Sequence, residues 1–265
     1  MKEINNSELK EIQLELLKDV HSFCICNDIK YSLAYGTLLG AVRHHGYIPW
    51  DDDIDIMMPR EDYDRFIRSY GNNVYKIADM SVNPEYGLPY AKVEDTRTLM
   101  KEMAQFNFAY GVYLDIFPVD YVPEEISVRK LFYRRKSFWN VLFNLKTIKV
   151  NRERSLIKNI ILMMAHILLS IISVQSIARR MLRMATKYQD QKTSYMGIVA
   201  PADSRIEEAI PSSYFEEYVE LPFENTNVMS IKEYAIYLTA SYGDYMQLPP
   251  VEQRVSHHVF YAYWK

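Results

Sequence analysis

Residues 49–58, Pro-Trp-Asp-Asp-Asp-Ile-Asp-Ile-Met-Met, constrain this chain more than any other stretch. Asp53 and Asp55 alternate with Ile54 and Ile56, the period of a half-buried strand. Successive strand side chains point to opposite faces, and same-face neighbours lie roughly 6.5–7 Å apart. Two carboxylates therefore share a face while two isoleucines enter the core. Asp51, Asp52, Asp53 and Asp55 repel one another, and the nearest following cation is Arg60. A bound divalent cation, Mg²⁺ most simply or Mn²⁺ in its place, resolves that repulsion, because hard cations take carboxylate oxygens.

The residues just upstream sharpen the expectation. Tyr31-Ser32-Leu33-Ala34-Tyr35 reads as a short strand, Gly36-Thr37 as a tight exit from it, and Thr37 to Arg43 as a short helix. A Gly-Thr turn opening a helix offers backbone N–H groups and a hydroxyl to a phosphate. Strand, Gly-Thr turn, helix, then a strand bearing Asp-hydrophobic-Asp is the pattern of the nucleotidyltransferase superfamily.

The run from Gly36 to Ile56, Gly-Thr-Leu-Leu-Gly-Ala-Val-Arg-His-His-Gly-Tyr-Ile-Pro-Trp-Asp-Asp-Asp-Ile-Asp-Ile, closely resembles the signature of the LicD family. That family includes bacterial phosphocholine transferases and is related to the fukutin-type transferases. Two later segments resemble it as well: Gly111-Val112-Tyr113-Leu114-Asp115-Ile116-Phe117-Pro118-Val119-Asp120 and Tyr242-Gly243-Asp244-Tyr245-Met246-Gln247-Leu248-Pro249-Pro250. The resemblance covers roughly residues 20–125 and 195–258 and skips the centre of the chain. It implies an α/β (α+β) nucleotidyltransferase-like fold, a mixed sheet flanked by helices, as one domain over 1–265 with a basic-apolar helical insertion at about 126–189. It also assigns Asp53 and Asp55 to metal binding.

Charge is unevenly spread. The net charge is −3, yet residues 126–189 hold 14 Lys or Arg against one acid, Glu153, leaving −16 for the remainder. One face therefore meets something anionic. Within this basic stretch, Arg129 to Lys158 is interleaved with aromatics, and Ile160 to Val174 is nearly all apolar. Fifteen residues fall short of the roughly 17–25 that a membrane span needs. A helix buried in the core and an interfacial helix on an anionic membrane both fit such a stretch. No nucleic-acid-binding module accompanies the charge, so nucleic acid is not an expected partner. Cys24 and Cys26 lie on different faces of a predicted helix, with no further Cys to complete a metal site. With no signal peptide read at the polar N-terminus, they point to a reducing, cytoplasmic setting.

A first helix is expected from Leu9 to Cys24 with Asn6 or Ser7 as its cap, and a second from Arg60 to Tyr70 after Pro59. Tyr90 to Val93 and Thr98 to Met103 read as a hairpin turning at Asp95-Thr96-Arg97, and Gly111 starts a strand ending at Pro118.

Asp115 stands among alternating apolar residues, and a buried carboxylate without a counter-charge is costly, so it is expected to complete the metal site with Asp53 and Asp55. Asp120 reads more simply as a turn residue. Gly36 and Thr37 are the expected phosphate contacts. Arg43 suits either a phosphate brace or a surface ion pair. Lys92 and Arg97 are placed to neutralise a diphosphate or to sit as exposed strand charges. His44 and His45 lack partners at ligand spacing, and His257 or His258 could deprotonate an acceptor hydroxyl. Trp50, Tyr35, Tyr47, Tyr113 and Phe117 could wall a quaternary ammonium, or simply pack the core. Glu94, Glu102, Gln105 and Asn107 could instead bind the hydroxyls of a polyol.

The resemblance implies transfer of a phospho-alcohol, most often phosphocholine, from a CDP-activated donor to a sugar hydroxyl. The acceptor would be lipopolysaccharide, teichoic acid, capsule or a lipid-linked glycan precursor, reached at the inner face of the cell membrane. CDP-ribitol or CDP-glycerol would serve the same motifs. A nucleotidylyltransferase using an NTP is disfavoured by the Tyr242–Met246 segment, and a non-enzymatic membrane-binding protein would leave the aspartates unexplained.

Overall fold

The computed structural model describes residues 1–102, 110–148, 150, 155–200, 205–255 and 260–265. Its main sheet runs in the order β1 (Lys2–Ile4), β11 (Phe260–Trp264), β5 (Ala91–Glu102), β6 (Tyr110–Tyr121), β3 (Asp55–Pro59), β2 (Ser32–Leu33). Only the β3–β6 pair along this path is parallel. β4 (Tyr75–Ala78) adds to β5, and β7 (Tyr195–Ile198) joins β6 to the short β8 (Ile210–Pro211). The mixed α/β class expected from the sequence is what forms.

Helix α1 (Asn6–Cys26) lays Leu9, Ile12, Leu16, Leu17 and Val20 against β5 and β6, as their spacing requires. Its cap is Asn5, one residue earlier than expected, whose side chain accepts the Glu8 N–H at 3.0 Å. Cys24 is buried on this helix and Cys26 exposed, and both are free thiols. Helix α2 (Tyr35–His44) starts directly after the two-residue β2, and α3 (Arg60–Ser69) follows Pro59. A hairpin of β9 (Tyr218–Phe223) and β10 (Thr226–Ile231) docks on β2, where the Ser32 hydroxyl accepts the Ile231 N–H at 3.0 Å.

The expected hairpin at Asp95-Thr96-Arg97 is instead one long strand with a bulge, the register slipping between Asp95 and Met100. Local polar bonds produce the bulge: the Asp95 carboxylate accepts the Arg97 N–H at 2.9 Å, and the Thr98 hydroxyl bonds the Asp95 carbonyl at 2.8 Å. The displaced Asp95 carbonyl crowds the place a Cβ would take at residue 111, so only glycine fits there. β6 likewise does not stop at Pro118. Its pairing with β5 ends at Ile116 and that with β7 begins at Val119, so the missing Pro118 N–H falls between two ladders.

Residues 126–189 fold as α4 (Ile126–Thr147), α5 (Leu156–Leu168), α6 (Val174–Ala185) and a 3₁₀ turn at Thr186–Gln191. α4 and α6 pack together and bury Phe143, Ile177 and Met181 against Tyr86 and Leu88. α5 is different: Leu162 is its one buried residue. The core-helix reading of the apolar stretch is thereby corrected. No helix among the described residues is long and apolar enough to cross a membrane. The last helix, α7 (Tyr234–Tyr242), leads into the Tyr242–Pro250 segment.

Candidate active site

Strand registration builds a row of charges. Asp55 on β3 lies directly opposite Asp115 on β6, and Asp115 opposite Lys92 on β5. The parallel ladder extends one residue beyond β3, since the Asp115 N–H donates to the Ile54 carbonyl at 2.9 Å. Burial alternates over residues 53–56, with Ile54 and Ile56 inside and both aspartates half-buried, as period two demands. Thr37 lies in the first turn of α2 and is buried; its hydroxyl oxygen accepts the Asp55 N–H at 2.8 Å. The Gly-Thr turn and the Asp-x-Asp strand are thus tied together.

The Lys92 ammonium is 2.6 Å from Asp115 Oδ1 and 3.4 Å from the Tyr113 ring centroid, with Tyr90 and Tyr110 beyond. It neutralises Asp115 and fills a box of tyrosines. Asp55 is short of positive charge. Burial, then Asp53, Asp115 and Asp51, push its pKa well above the usual 3.8, and Lys92 opposes this only in part. Carboxylate oxygens of Asp51, Asp52 and Asp53 also approach within 4.8 Å of one another. That all-oxygen trio fits a hard divalent cation, whereas the expected ligands Asp55 and Asp115 face each other across the β3–β6 pair outside this close group. Asp51 joins it as a site residue that sequence reasoning did not assign, although it sits in the same acidic run.

Beside the aspartates lies a cavity of about 780 Å³, lined by Gly36, Asp51, Trp50, Arg43 and residues of the 242–255 segment. Tyr242 connects the two: it lines the cavity, and its phenol is pushed up by burial and then by Asp55 and Asp51. At Gly36 a Cβ would come 2.6 Å from Asp51 Oδ2. Tyr35 just before it sits in the left-handed region, φ 43°, at a cost on the order of 1–3 kcal/mol. Its ring is wedged between Phe117 and Tyr237, which holds this strained entry to α2.

Gly36→Ala is expected to leave the fold intact, because the flexible Asp51 carboxylate can swing aside. That swing should lower activity roughly a hundredfold, the scale of a 1 Å misplacement. A thermal melt beside a rate measurement checks this; an unchanged rate would show that Asp51 placement is immaterial.

Several expected contacts take other roles. Arg43 donates to the carbonyls of Tyr245 at 3.0 Å and Gln247 at 3.4 Å, so it braces the C-terminal segment over the cavity. Burial and then the nearby Arg254 lower its pKa, which places two guanidinium groups within electrostatic reach. Arg254 donates to the Pro249 carbonyl and lies 5.6 Å from the Trp50 ring centroid. Sequence reasoning missed Arg254, and only its proximity to the family-like segment hinted at it. Arg97 is not brought to the aspartates. It forms a two-pronged ion pair with buried Asp95, five residues along β5 from Lys92.

Asp120 is inside β6 rather than in a turn, fully buried and bonded at 2.7 and 2.8 Å by Arg60. Tyr47 packs on Phe223 with its hydroxyl toward Lys10 and Gln13. Among the expected aromatic wall of Tyr35, Tyr47 and Trp50, Trp50 lines the cavity, joined there by Tyr242 and Tyr245. Glu94 is engaged by the Gly111 N–H at 2.6 Å. Gln105, Asn107, His257 and His258 lie outside the described residues, and so does the side chain of Glu102.

Asp55 at the start of β3 opposite Asp115, with Thr37 in the first turn of α2 holding the Asp55 backbone, is the arrangement expected of a nucleotidyltransferase-like fold. The nucleotidyltransferase domain described as LicD/FKTN/FKRP matches residues 28–154. The lipopolysaccharide cholinephosphotransferase LicD of Haemophilus influenzae is 30% identical over 276 aligned positions, 99% of each chain. An uncharacterized protein of Rickettsia typhi is 54% identical over 57 residues, 21% of this chain and 18% of its own. Another from Rickettsia prowazekii is 56% identical over 48 residues, 18% of each. The chain belongs to the LicD family.

Proposed function

We propose that this protein transfers phosphocholine from CDP-choline to a sugar hydroxyl of a cell-surface glycan, such as lipopolysaccharide, or of its lipid-linked precursor. The observation that carries this is the cavity beside the Asp51–Asp55–Asp115 carboxylates, in a chain similar end to end to a lipopolysaccharide cholinephosphotransferase. Residues 1–265 act as one catalytic unit with the helices of 126–189 inserted, working at the inner face of the membrane.

Asp53, Asp55 and Asp115, with Asp51 adjoining, would hold Mg²⁺ or Mn²⁺. Such an ion supplies charge neutralisation at a diphosphate and Lewis acidity at phosphorus-bound oxygen. The chain supplies positioning. Gly36 lets the Asp51 carboxylate lie close against the first turn of α2, since a Cβ there would come within 2.6 Å of it. Thr37 fixes the Asp55 backbone, and Lys92 orients Asp115 through a 2.6 Å ion pair. Arg43, which lines the cavity, and Arg254, beside the cavity-lining Trp50, offer positive charge to the donor diphosphate while bracing the 245–250 segment. Trp50, Tyr242 and Tyr245 give the cavity an aromatic lining suited to a trimethylammonium group, worth roughly 0.5–2 kcal/mol. Catalysis on this reading is orientation plus charge neutralisation, with the leaving CMP and the incoming hydroxyl on opposite sides of phosphorus.

A competition assay tests the donor. Excess CDP-choline should suppress turnover of labelled CDP-ribitol or CDP-glycerol, and labelled CDP-choline should release CMP. Pyrophosphate release from CTP would mark a nucleotidylyltransferase instead. If CDP-choline neither turns over nor competes, the phosphocholine assignment is wrong.

A further inference from the structure

Among the described residues, α5 carries a long uncovered apolar surface. Ile157, Ile160, Ile161, Met164 and Leu168 recur at helical spacing and are 72%, 56%, 55%, 58% and 74% exposed, and Ile171 just beyond is 91% exposed. Together they expose on the order of several hundred Å², the size at which an apolar patch marks an interaction site. The helix is held in place without being covered. Its C-terminal end is pinned to α4 by the Lys146 ammonium, which donates to the Leu169 carbonyl at 2.8 Å, and Leu162 is its one inward anchor.

Charge says what covers this surface. The surrounding helices present exposed Arg134 and Arg135 on α4, Lys158 on α5, and Arg179 and Arg183 on α6. Across 126–189 the sequence holds 14 cations and a single acid. A second copy docking here would set two such cationic segments face to face, which like-charge repulsion opposes. A soluble acidic partner would match the charge but not the large aliphatic face. An anionic bilayer satisfies both, with phosphates for the cations and acyl chains for the isoleucines. At 13 residues α5 is roughly 20 Å long, against roughly 30 Å of hydrocarbon, so it can lie in the interface and not cross it.

We infer that α5 is a membrane-docking helix that lies in the plane of an anionic bilayer. Docking itself stands on exposure and charge; its purpose, bringing a lipid-linked acceptor to the carboxylates, rests on the transferase reading above. β6 carries Asp115 and continues into α4, so a bilayer held by α5 stands in a set relation to the catalytic strand.

The test is co-sedimentation of the full chain with vesicles of phosphatidylcholine alone and of equimolar phosphatidylcholine and phosphatidylglycerol. Binding should be at least about tenfold stronger to the anionic vesicles and should weaken as salt is raised from roughly 0.1 to 1 M. Ile157→Ser, Ile161→Ser, Met164→Ser and Leu168→Ser combined should abolish it. Because these side chains face outward, the melting temperature and the rate of CMP release from CDP-choline with a soluble sugar acceptor should stay unchanged. Equal binding to both vesicles, unchanged binding by the variant, or a dimer in solution that the variant dissociates would each overturn the docking. Loss of CMP release in the unmodified protein would instead overturn the transferase reading and leave docking standing.

Discussion

Replacing Asp55 with Asn is expected to do two opposite things: abolish transfer and stabilise the metal-free protein. In the fold, burial and the carboxylates of Asp53, Asp115 and Asp51 raise the Asp55 pKa well above 3.8. An acid whose folded pKa is raised keeps its proton in the native state while the unfolded chain releases it. Its contribution to stability therefore falls as pH rises above the ordinary carboxyl value towards the elevated one. Asp55→Asn removes this penalty, so the variant should melt higher than the metal-free parent near neutral pH, with a flatter pH dependence. Activity should fall on the order of 10³-fold, since a group aimed at developing charge is lost. Mg²⁺ at about 100 times its Kd should stabilise the parent by roughly 2.7 kcal/mol, or about 5–10 °C in Tm, and the variant far less. Calorimetry with and without Mg²⁺ checks the binding independently of turnover. An active Asp55→Asn, or an equal Mg²⁺ shift in both proteins, would sink the metal assignment.

The second large effect concerns stability alone. Asp120 and Arg60 form an ion pair with side chains 0% and 7% exposed. Burial by itself would lower the Arg60 pKa, and the Asp120 charge more than reverses it. Removing Asp120 leaves Arg60 in the core with only the half-exposed Asp64 carboxylate 3.8 Å away, a cost of about 3–5 kcal/mol. Asp120→Asn should therefore lower Tm on the order of 10 °C while its residual folded fraction keeps near-normal specific activity. Replacing both partners, Arg60→Met with Asp120→Leu, should recover most of the loss, because no uncompensated charge remains. Urea denaturation of the single and double variants measures this. A single variant as stable as the parent would show that the pair contributes nothing. The contrast with Asp115 is sharp: the same β6 strand carries one acid set opposite Asp55 and one locked against Arg60 in the core.

What the sequence determined by itself is what depends on short-range pattern. Alternating Asp and Ile put two carboxylates on one face whatever the rest of the chain does, and the apolar spacing of Leu9 to Cys24 left one side for α1 to bury. Gly36-Thr37 at a helix start was legible for the same reason and with the aspartates pointed to the family, but the expected strand ends at Leu33 and the pair lies within the first turn of α2 rather than ahead of it. Some local chemistry misled. Asp95-Thr96-Arg97 has turn composition, but its polar side chains bonded to one another and produced a bulge within a single strand.

Only tertiary structure decided which charges meet. Asp115 and Asp120 are five residues apart in similar apolar surroundings, and strand order alone set one opposite Asp55 and the other against Arg60. Arg43 and Arg254 are 211 positions apart, and no local pattern announces that both brace the segment over one cavity. The exposure of α5 was equally beyond the sequence. Its isoleucines and methionines suit a core as well as a bilayer, and the choice was made by α4 and α6, which packed against each other and left it outside.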